Sequence, residues 1–308
     1  MKHLLSIRGL ETGEIQGLFG KARELREHHR LGKTHQPLLG KTLGMIFYKS
    51  STRTRVSFEV AMFQLGGHAL YLNAEDIQIG RGETLADTAR VLSGYVDAVL
   101  IRTFSQGDLE EFARHSSVPV INGLTDQAHP CQVLADLFTV EEHFGKLEGL
   151  KIAYVGDGNN VAHSWLLAAG RLGLHLSLAT PKGYGPREEV QKEVLALAKE
   201  SGARVKVGTD PAEAARGAHV LYTDTWVSMG NEAQRAKRLK DFQDYRVDAA
   251  LLALADPKAV VMHCLPAHRG EEISAAAMDG PQSVIFQEAE NRLHVQKAIL
   301  VSLLKAAD

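Results

Sequence analysis

Leu43-Gly44-Met45-Ile46-Phe47-Tyr48-Lys49-Ser50-Ser51-Thr52-Arg53-Thr54-Arg55-Val56 runs from an apolar stretch through a turn rich in hydroxyls and guanidiniums into a helical pattern. Leu43, Met45, Ile46 and Phe47 read as a strand, and Val56, Val60, Met62 and Phe63 continue a helix that Gly66-Gly67 would stop. A strand that feeds a helix start presents N–H groups with no intrahelical partner and the positive end of the helix dipole. Into that turn the chain places the hydroxyls of Ser51, Thr52 and Thr54 and the guanidiniums of Arg53 and Arg55. Cations at a helix start are unfavourable unless an anion sits there, which points to a bound anion and to phosphate first. A capped helix with solvated arginines is the plainer reading of the same residues.

Outward from this stretch the pattern repeats. Strand-like runs at 43–47, 69–72, 98–103 and 118–121 alternate with helical stretches, and 151–155, 174–179, 204–207, 220–223 and 260–263 do the same further on. Such alternation predicts an α/β fold with two mainly parallel sheets flanked by helices. The length of 308 residues fits two domains. The junction is placed at the polar, glycine-containing stretch 139–150, giving domains at 1–145 and 146–288, with an amphipathic helix over 289–308 that packs back on the first. Ligands of open parallel sheets bind beyond the carboxyl ends of the strands. Polar residues gather there in both halves, so the active site is expected in the cleft between the domains.

Composition excludes several classes. Lys plus Arg number 35 against 37 Asp plus Glu, so no general attraction to nucleic acid or an anionic membrane is expected. No apolar run approaches the roughly 20 residues that cross a bilayer, and the first residues turn charged too early for a signal peptide. Cys131 and Cys264 are the only cysteines, which argues against a disulfide framework and for a reducing compartment. The expectation is a cytoplasmic protein.

Four further strings carry chemistry. In Gln127-Ala128-His129-Pro130-Cys131-Gln132, Pro130 suits a first helical position and puts His129 at a strand-to-helix corner. With Arg102 ending a neighbouring strand, the two could donate to one carbonyl oxygen; simple capping is the alternative. Gly156-Asp157-Gly158-Asn159-Asn160 half-matches a dinucleotide fingerprint but lacks its third glycine and the acidic residue ending the next strand. Asp224-Thr225-Trp226-Val227-Ser228-Met229-Gly230 sets a carboxylate and a turn after an apolar strand; a structural reading makes Asp224 a cap and Trp226 core. His263-Cys264-Leu265-Pro266-Ala267-His268 has a metal-like density of donors, but nothing nearby completes a tetrahedral set, and a buried, inert cysteine is the commoner outcome.

Taken together, these strings resemble the aspartate/ornithine carbamoyltransferase family. Phe47-x-Lys49 followed by Ser51-Thr52-Arg53-Thr54-Arg55 is similar to its carbamoyl-phosphate signature, and His129-Pro130-x-Gln132 to its second carbamoyl-phosphate motif. Asp224-x-x-x-Ser228-Met229-Gly230 and His263-Cys264-Leu265-Pro266 are similar to the ornithine branch; the aspartate branch lacks the first and carries His-Pro-Leu-Pro at the second. The resemblance implies that Ser51, Thr52, Arg53, Thr54, Gln78, Arg102, His129, Gln132, Cys264, Leu265 and Arg292 bind carbamoyl phosphate. Asn160, Asp224, Ser228, Met229, Cys264 and Leu265 would bind ornithine, with Asp224 on its α-ammonium. Arg102, His129 and Cys264 would be catalytic.

The implied reaction passes the carbamoyl group of carbamoyl phosphate to the δ-amine of L-ornithine, giving L-citrulline and phosphate, with no cofactor and no metal. The implied partners are these small molecules and further copies of the chain in a homotrimer or a multiple of it. In that trimer Gln78 would reach the phosphate bound by a neighbouring subunit. Two rivals from other classes remain: a dinucleotide-binding dehydrogenase, resting on Gly156-x-Gly158, and a phosphate-binding protein without catalysis.

Overall fold

The computed structural model describes residues 1–77 and 82–305. The first elements are α1 (Thr12–Arg30), β1 (Thr42–Phe47), α2 (Thr52–Gln64), β2 (His68–Asn73), α3 (Leu85–Ser93), β3 (Ala98–Arg102), α4 (Gln106–His115), β4 (Val120–Leu124) and α5 (Pro130–Phe144). Then follow β5 (Lys151–Val155), α6 (Asn160–Leu172), β6 (His175–Ala179), α7 (Glu188–Ser201), β7 (Val205–Gly208), α8 (Pro211–Ala215) and β8 (Val220–Thr223). The last are α9 (Arg235–Asp241), α10 (Ala249–Leu252), β9 (Val260–His263), α11 (Ala275–Met278) and α12 (Ile285–Leu304). The chain forms two compact units: Met1–Leu134 together with the segment from Asn291 on, and Ala135–Glu290.

Both sheets are parallel. The first has the order β2-β1-β3-β4 and the second β7-β6-β5-β8-β9. In each, the chain winds outward on one side and then returns to wind outward on the other. The strand order therefore reverses between β1 and β3, and between β5 and β8. These are the switch points beyond which ligands of such sheets bind.

The strands differ as their positions require. β3 is buried along its whole length and is an unbroken apolar run until Arg102, as a strand covered on both faces must be. β2 lies at a sheet edge, and its first residues alternate between exposed and half-buried. β4 begins two residues later than the apolar pattern suggests and extends to Leu124. Its register against β3 shifts between Ile101 and Arg102, and Gly123 sits at that irregularity. A Cβ there would come 3.2 Å from the Ile101 carbonyl oxygen, so a side chain at this position would push the neighbouring backbone back by a few tenths of an ångström.

α2 departs from its apolar pattern. Its buried side chains are Thr54, Phe58, Ala61 and Met62, whereas Val56 is 49% and Phe63 80% exposed. Burying Phe58 and Met62 contributes about 1.5–3 kcal/mol each; counting apolar residues cannot tell which stripe does so. Gly66 ends the helix with φ +84°, a conformation that favours glycine. α12 starts at Ile285, four residues before the apolar pattern implies, and buries Val295, Ile299, Leu300, Leu303 and Leu304.

Candidate active site

In the first unit the polar residues collect beyond β1, β3 and β4. Phe47 pairs with Arg102 in register, and the Tyr48 N–H donates to the Arg102 carbonyl (2.8 Å), so the end of β3 lies against the turn leaving β1. Ser51 caps α2, its Oγ accepting from the Thr54 N–H (3.2 Å). Thr54 is fully buried, and Arg292 of α12 donates from Nη2 to its Oγ1 (2.9 Å), joining residues 238 positions apart. Of the two expected guanidiniums of the first turn, Arg55 faces elsewhere. Its Nε donates to Glu59 (3.0 Å) and its guanidinium lies 3.8 Å from the Tyr71 ring centroid.

His129 immediately precedes Pro130, the first residue of α5, and its carbonyl accepts from the N–H groups of Gln132 and Val133. Its ring is buried, as are Arg102 and Gln132. Burial holds the His129 pKa well below that of an ordinary histidine, and the charges of Arg292, Arg102 and Arg53 push it lower still. The imidazole is therefore neutral at neutral pH and keeps one N–H to donate. Three guanidiniums acting on one neutral ring make a region that favours an anion. Lys49 is buried and bonds Asp126 (2.5 Å), tying the turn after β1 to the loop after β4 that carries His129.

In the second unit Asp224, just after β8, is the centre. Its Oδ1 accepts from the Thr225 N–H (2.7 Å) and from the Cys264 thiol (2.9 Å), and its Oδ2 from Asn159 Nδ2 (2.7 Å). A carboxylate has about four lone-pair sites, so Oδ2 keeps acceptor capacity for a ligand. Asn159 is held in turn: its Oδ1 caps α6 through the N–H groups of Val161 and Ala162 and accepts from the Tyr154 hydroxyl. Asp224 is therefore not a helix cap; Asn159 is. Trp226 is core, 2% exposed and packed near Phe242. Ser228 is half-buried, Met229 is 46% exposed, and Asn160 opens α6.

Cys264 and Leu265 follow β9. Burial pushes the Cys264 thiol well above its usual pKa, and the Asp224 carboxylate adds to the rise, so this cysteine is a thiol at neutral pH. Leu265 has φ +59°, alone among the described non-glycine residues in being positive. Its N–H donates to His263 Nδ1 (2.8 Å), and the other ring nitrogen of His263 bonds Glu272 (3.2 Å). Asp224, His263 and Cys264 bring ligand atoms within 4.8 Å of one another, a spacing suited to a metal. Both nitrogens of His263 are already hydrogen-bonded and the sulfur donates to the carboxylate, so the arrangement is complete as a hydrogen-bonded group.

The loop after β5 gives its second glycine a structural role. A Cβ on Gly158 would lie 2.4 Å from the Pro186 nitrogen and 2.6 Å from the Tyr184 carbonyl oxygen, and the Gly158 N–H donates to that oxygen (2.8 Å). Gly158 is thus needed for the close packing of the chain's own segment 184–186, which accounts for this glycine without a dinucleotide. β6 ends in Ala179 followed by Thr180, with no acidic residue for a ribose.

Ser51, Thr54, Arg102, His129, Gln132 and Arg292 thus share one end of the first unit, and Asp224 and Cys264 touch directly in the second. Gln78 lies outside the described residues. Motif reading named Asp157 and Asn159 at a strand end without giving them a role, and passed over Arg238. Asp157 and Arg238 form a buried ion pair (2.8 Å) from which Arg238 also donates to the Trp226 carbonyl (2.9 Å). Asn159 carried a signal, an Asn just before an apolar helix. Arg238 carried none, lying in the basic run Arg235-Ala236-Lys237-Arg238.

Known proteins resemble the chain over nearly its full length. A family model described as aspartate/ornithine carbamoyltransferase, carbamoyl-P binding domain, matches residues 2–142, and one for the Asp/Orn binding domain matches residues 148–303. The chain is 57% identical over 303 residues to an ornithine carbamoyltransferase of Syntrophus aciditrophicus, covering 98% of this chain and 99% of that one. It superposes on the ornithine carbamoyltransferase of Pyrococcus furiosus with a TM-score of 0.96 at 51% identity, covering 99% and 97% of the two chains. The anabolic ornithine carbamoyltransferase of Campylobacter jejuni gives 0.93 at 43% identity, with 99% and 100% covered.

Proposed function

The chain belongs to the aspartate/ornithine carbamoyltransferase family, and from that premise and its side-chain geometry we infer the reaction and the role of each residue. It is a transferase that moves the carbamoyl group of carbamoyl phosphate to the δ-amine of L-ornithine, giving L-citrulline and phosphate. One observation carries the reading above all: neutral His129 lies under the influence of Arg53, Arg102 and Arg292, beside a helix start capped by Ser51. That arrangement suits a phosphate dianion whose neighbouring carbonyl needs a neutral hydrogen-bond donor.

The segment 1–145, completed by residues 289–308, binds carbamoyl phosphate, and 146–288 binds ornithine. The N–H groups and hydroxyls of Ser51 and Thr52, with Arg53 and Arg102, hold the phosphate. Gln78 of a neighbouring copy reaches it as well. Gln132 accepts from the carbamoyl amide. Arg102, His129 and Thr54 donate to the carbonyl oxygen, and Arg292 fixes the Thr54 hydroxyl by its hydrogen bond. Asp224 pairs with the α-ammonium of ornithine, Asn160 contacts its α-substituents, and Ser228 with Met229 closes over it. Cys264 and the Leu265 backbone touch both substrates.

In the transfer the neutral δ-amine attacks the carbamoyl carbon and a C–N bond forms. The oxyanion that develops is met by preset donors in a dry setting. The bond from carbon to the bridging phosphate oxygen then breaks, inorganic phosphate leaves with the bonding pair, and that phosphate takes the proton that the nitrogen gives up. An amine of this kind has a pKa of about 10.4, so it must deprotonate before it reacts, and efficiency rises with pH through the neutral range. Cys264 acts here as a thiol that donates to Asp224, not as a thiolate nucleophile.

The active assembly is a homotrimer or a multiple of it, working in the cytoplasm in arginine metabolism. The absence of a helix long and apolar enough to cross a membrane, among the described residues, agrees with a protein that acts on small soluble metabolites. The deciding experiment is a citrulline-type assay with ornithine, N-acetylornithine, putrescine and aspartate side by side. Ornithine is expected to be carbamoylated far faster than the other three; equal or higher rates with any of them would overturn the assignment.

A further inference from the structure

The Ser228-Met229-Gly230 turn follows a segment fixed at two points. At Asp224 the side chain is held by Asn159, Cys264 and the Thr225 N–H. Two residues on, the Trp226 ring is buried and its carbonyl accepts from Arg238 Nη1 (2.9 Å). The same Nη1 bonds Asp157 Oδ2 (2.8 Å), with both side chains about nine-tenths buried. Beyond Trp226 the local bonds are short-range ones: Asn231 N–H to the Ser228 carbonyl and Gly230 N–H to Glu232. Among the described residues the bond from Arg238 is therefore the last long-range hydrogen bond before the turn, with Val227 packing on the core just after it.

The anchor is itself well held. The Arg238 guanidinium lies 5.0 Å from the Tyr184 ring centroid and 5.9 Å from that of Phe242. The Tyr184 hydroxyl donates to Asp241 on the same helix as Arg238. Asp157 belongs to the loop after β5 that also carries Asn159 and leads into Asn160, the first residue of α6. One guanidinium thus joins three parts of the chain: α9, the loop after β5 and the segment after β8.

We propose that Arg238, paired with Asp157, is a positioning residue for ornithine recognition: it sets the Trp226 carbonyl, and through it the placement of Ser228 and Met229 relative to Asp224. The inference rests on ornithine being the amino-acid substrate. Arg238 need not touch ornithine for its loss to be felt. Releasing the Trp226 carbonyl removes the polar hold on the backbone that leads to Ser228 and Met229 and leaves it to the packing of the Trp226 and Val227 side chains, while the first unit's phosphate residues are untouched. A lysine is a point charge with rotatable donors and cannot reproduce the fixed geometry of a guanidinium.

The test uses the full-length protein and steady-state citrulline formation, with carbamoyl-phosphate affinity measured separately by calorimetry. Arg238→Ala is expected to raise the KM for ornithine about 10- to 100-fold, on the scale of one lost charge-assisted bond. Carbamoyl-phosphate affinity should stay within about twofold, and kcat at saturating ornithine should fall much less than KM rises. Arg238→Lys should lie between Ala and the parent. Asp157→Asn should raise KM less than Arg238→Ala, because Arg238 can still donate to Trp226. Should Arg238→Ala fail to fold, Arg238→Lys and Asp157→Asn carry the test through the same KM split. An unchanged ornithine KM in a folded variant, or equal losses in carbamoyl-phosphate affinity and kcat, would overturn the proposal. A parent protein that forms no citrulline would instead overturn the functional reading on which it rests.

Discussion

Replacing Asp224 by asparagine keeps the shape of the side chain and changes two things that the structure allows to be separated. The first is charge. Oδ2 of Asp224 has acceptor capacity for the α-ammonium of ornithine, and a charge-assisted hydrogen bond contributes about 1.5–3 kcal/mol, equivalent to about 10- to 150-fold in affinity. The second is donor polarity. Oδ1 already accepts from Thr225 and Cys264, so the new amide must turn its NH2 towards Asn159 Nδ2, which is also a donor. Asn159 cannot flip to offer its oxygen without giving up the cap on α6 that it makes to Val161 and Ala162. A lost cap costs about 0.5–2 kcal/mol of stability. Asp224→Asn should therefore lower Tm modestly and raise the ornithine KM by one to two orders of magnitude, with carbamoyl-phosphate affinity preserved. Steady-state citrulline assays, calorimetry and thermal unfolding read the three quantities independently. A variant whose Tm falls while its ornithine KM stays at the parent value would refute the pairing with the ammonium and leave Asp224 a purely structural residue.

Other expectations concern the first unit and the assembly. Arg53→Ala should weaken carbamoyl phosphate about 10- to 150-fold in calorimetry and affect ornithine much less in the loaded enzyme; an unchanged affinity in a folded variant would remove Arg53 from the phosphate site. His129 should show no protonation between pH 8 and 6 in the free protein, read from ring nitrogen shifts assigned by their loss in His129→Gln. Because its folded pKa is depressed, the unfolded chain takes up a proton below about pH 6.5 that the native state refuses, so His129 lowers stability as the solution is acidified. A ring that titrates near its ordinary value would contradict the buried, cation-surrounded setting. Finally, Gln78→Ala and Arg53→Ala should each disable a pure assembly, and refolded mixtures of the two should regain part of the activity. Verified hybrids without recovery would place Gln78 in its own subunit's site or in none.

The two parallel sheets and the strands' places were legible in the sequence because each depends on local pattern. Apolar runs mark β1, β3, β5, β8 and β9, and the polar residues that follow them mark carboxyl ends. Pro130 marked the start of α5 because a residue without an N–H suits a first turn. What the sequence could not determine depends on distance along the chain. The bond from Arg292 to Thr54 spans 238 positions and that from Arg238 to Asp157 spans 81; no periodicity encodes either. Arg55 looked equivalent to Arg53 until Tyr71 of the neighbouring strand offered it a ring. Gly158 fitted a cofactor fingerprint until the fold set Tyr184 and Pro186 against it. Composition and spacing state which groups are present near a strand end. Burial and the partners brought by other strands determine which of them are neutral, which are held, and which face a ligand, because desolvation and hydrogen bonding act over a few ångströms in space whatever the separation in sequence.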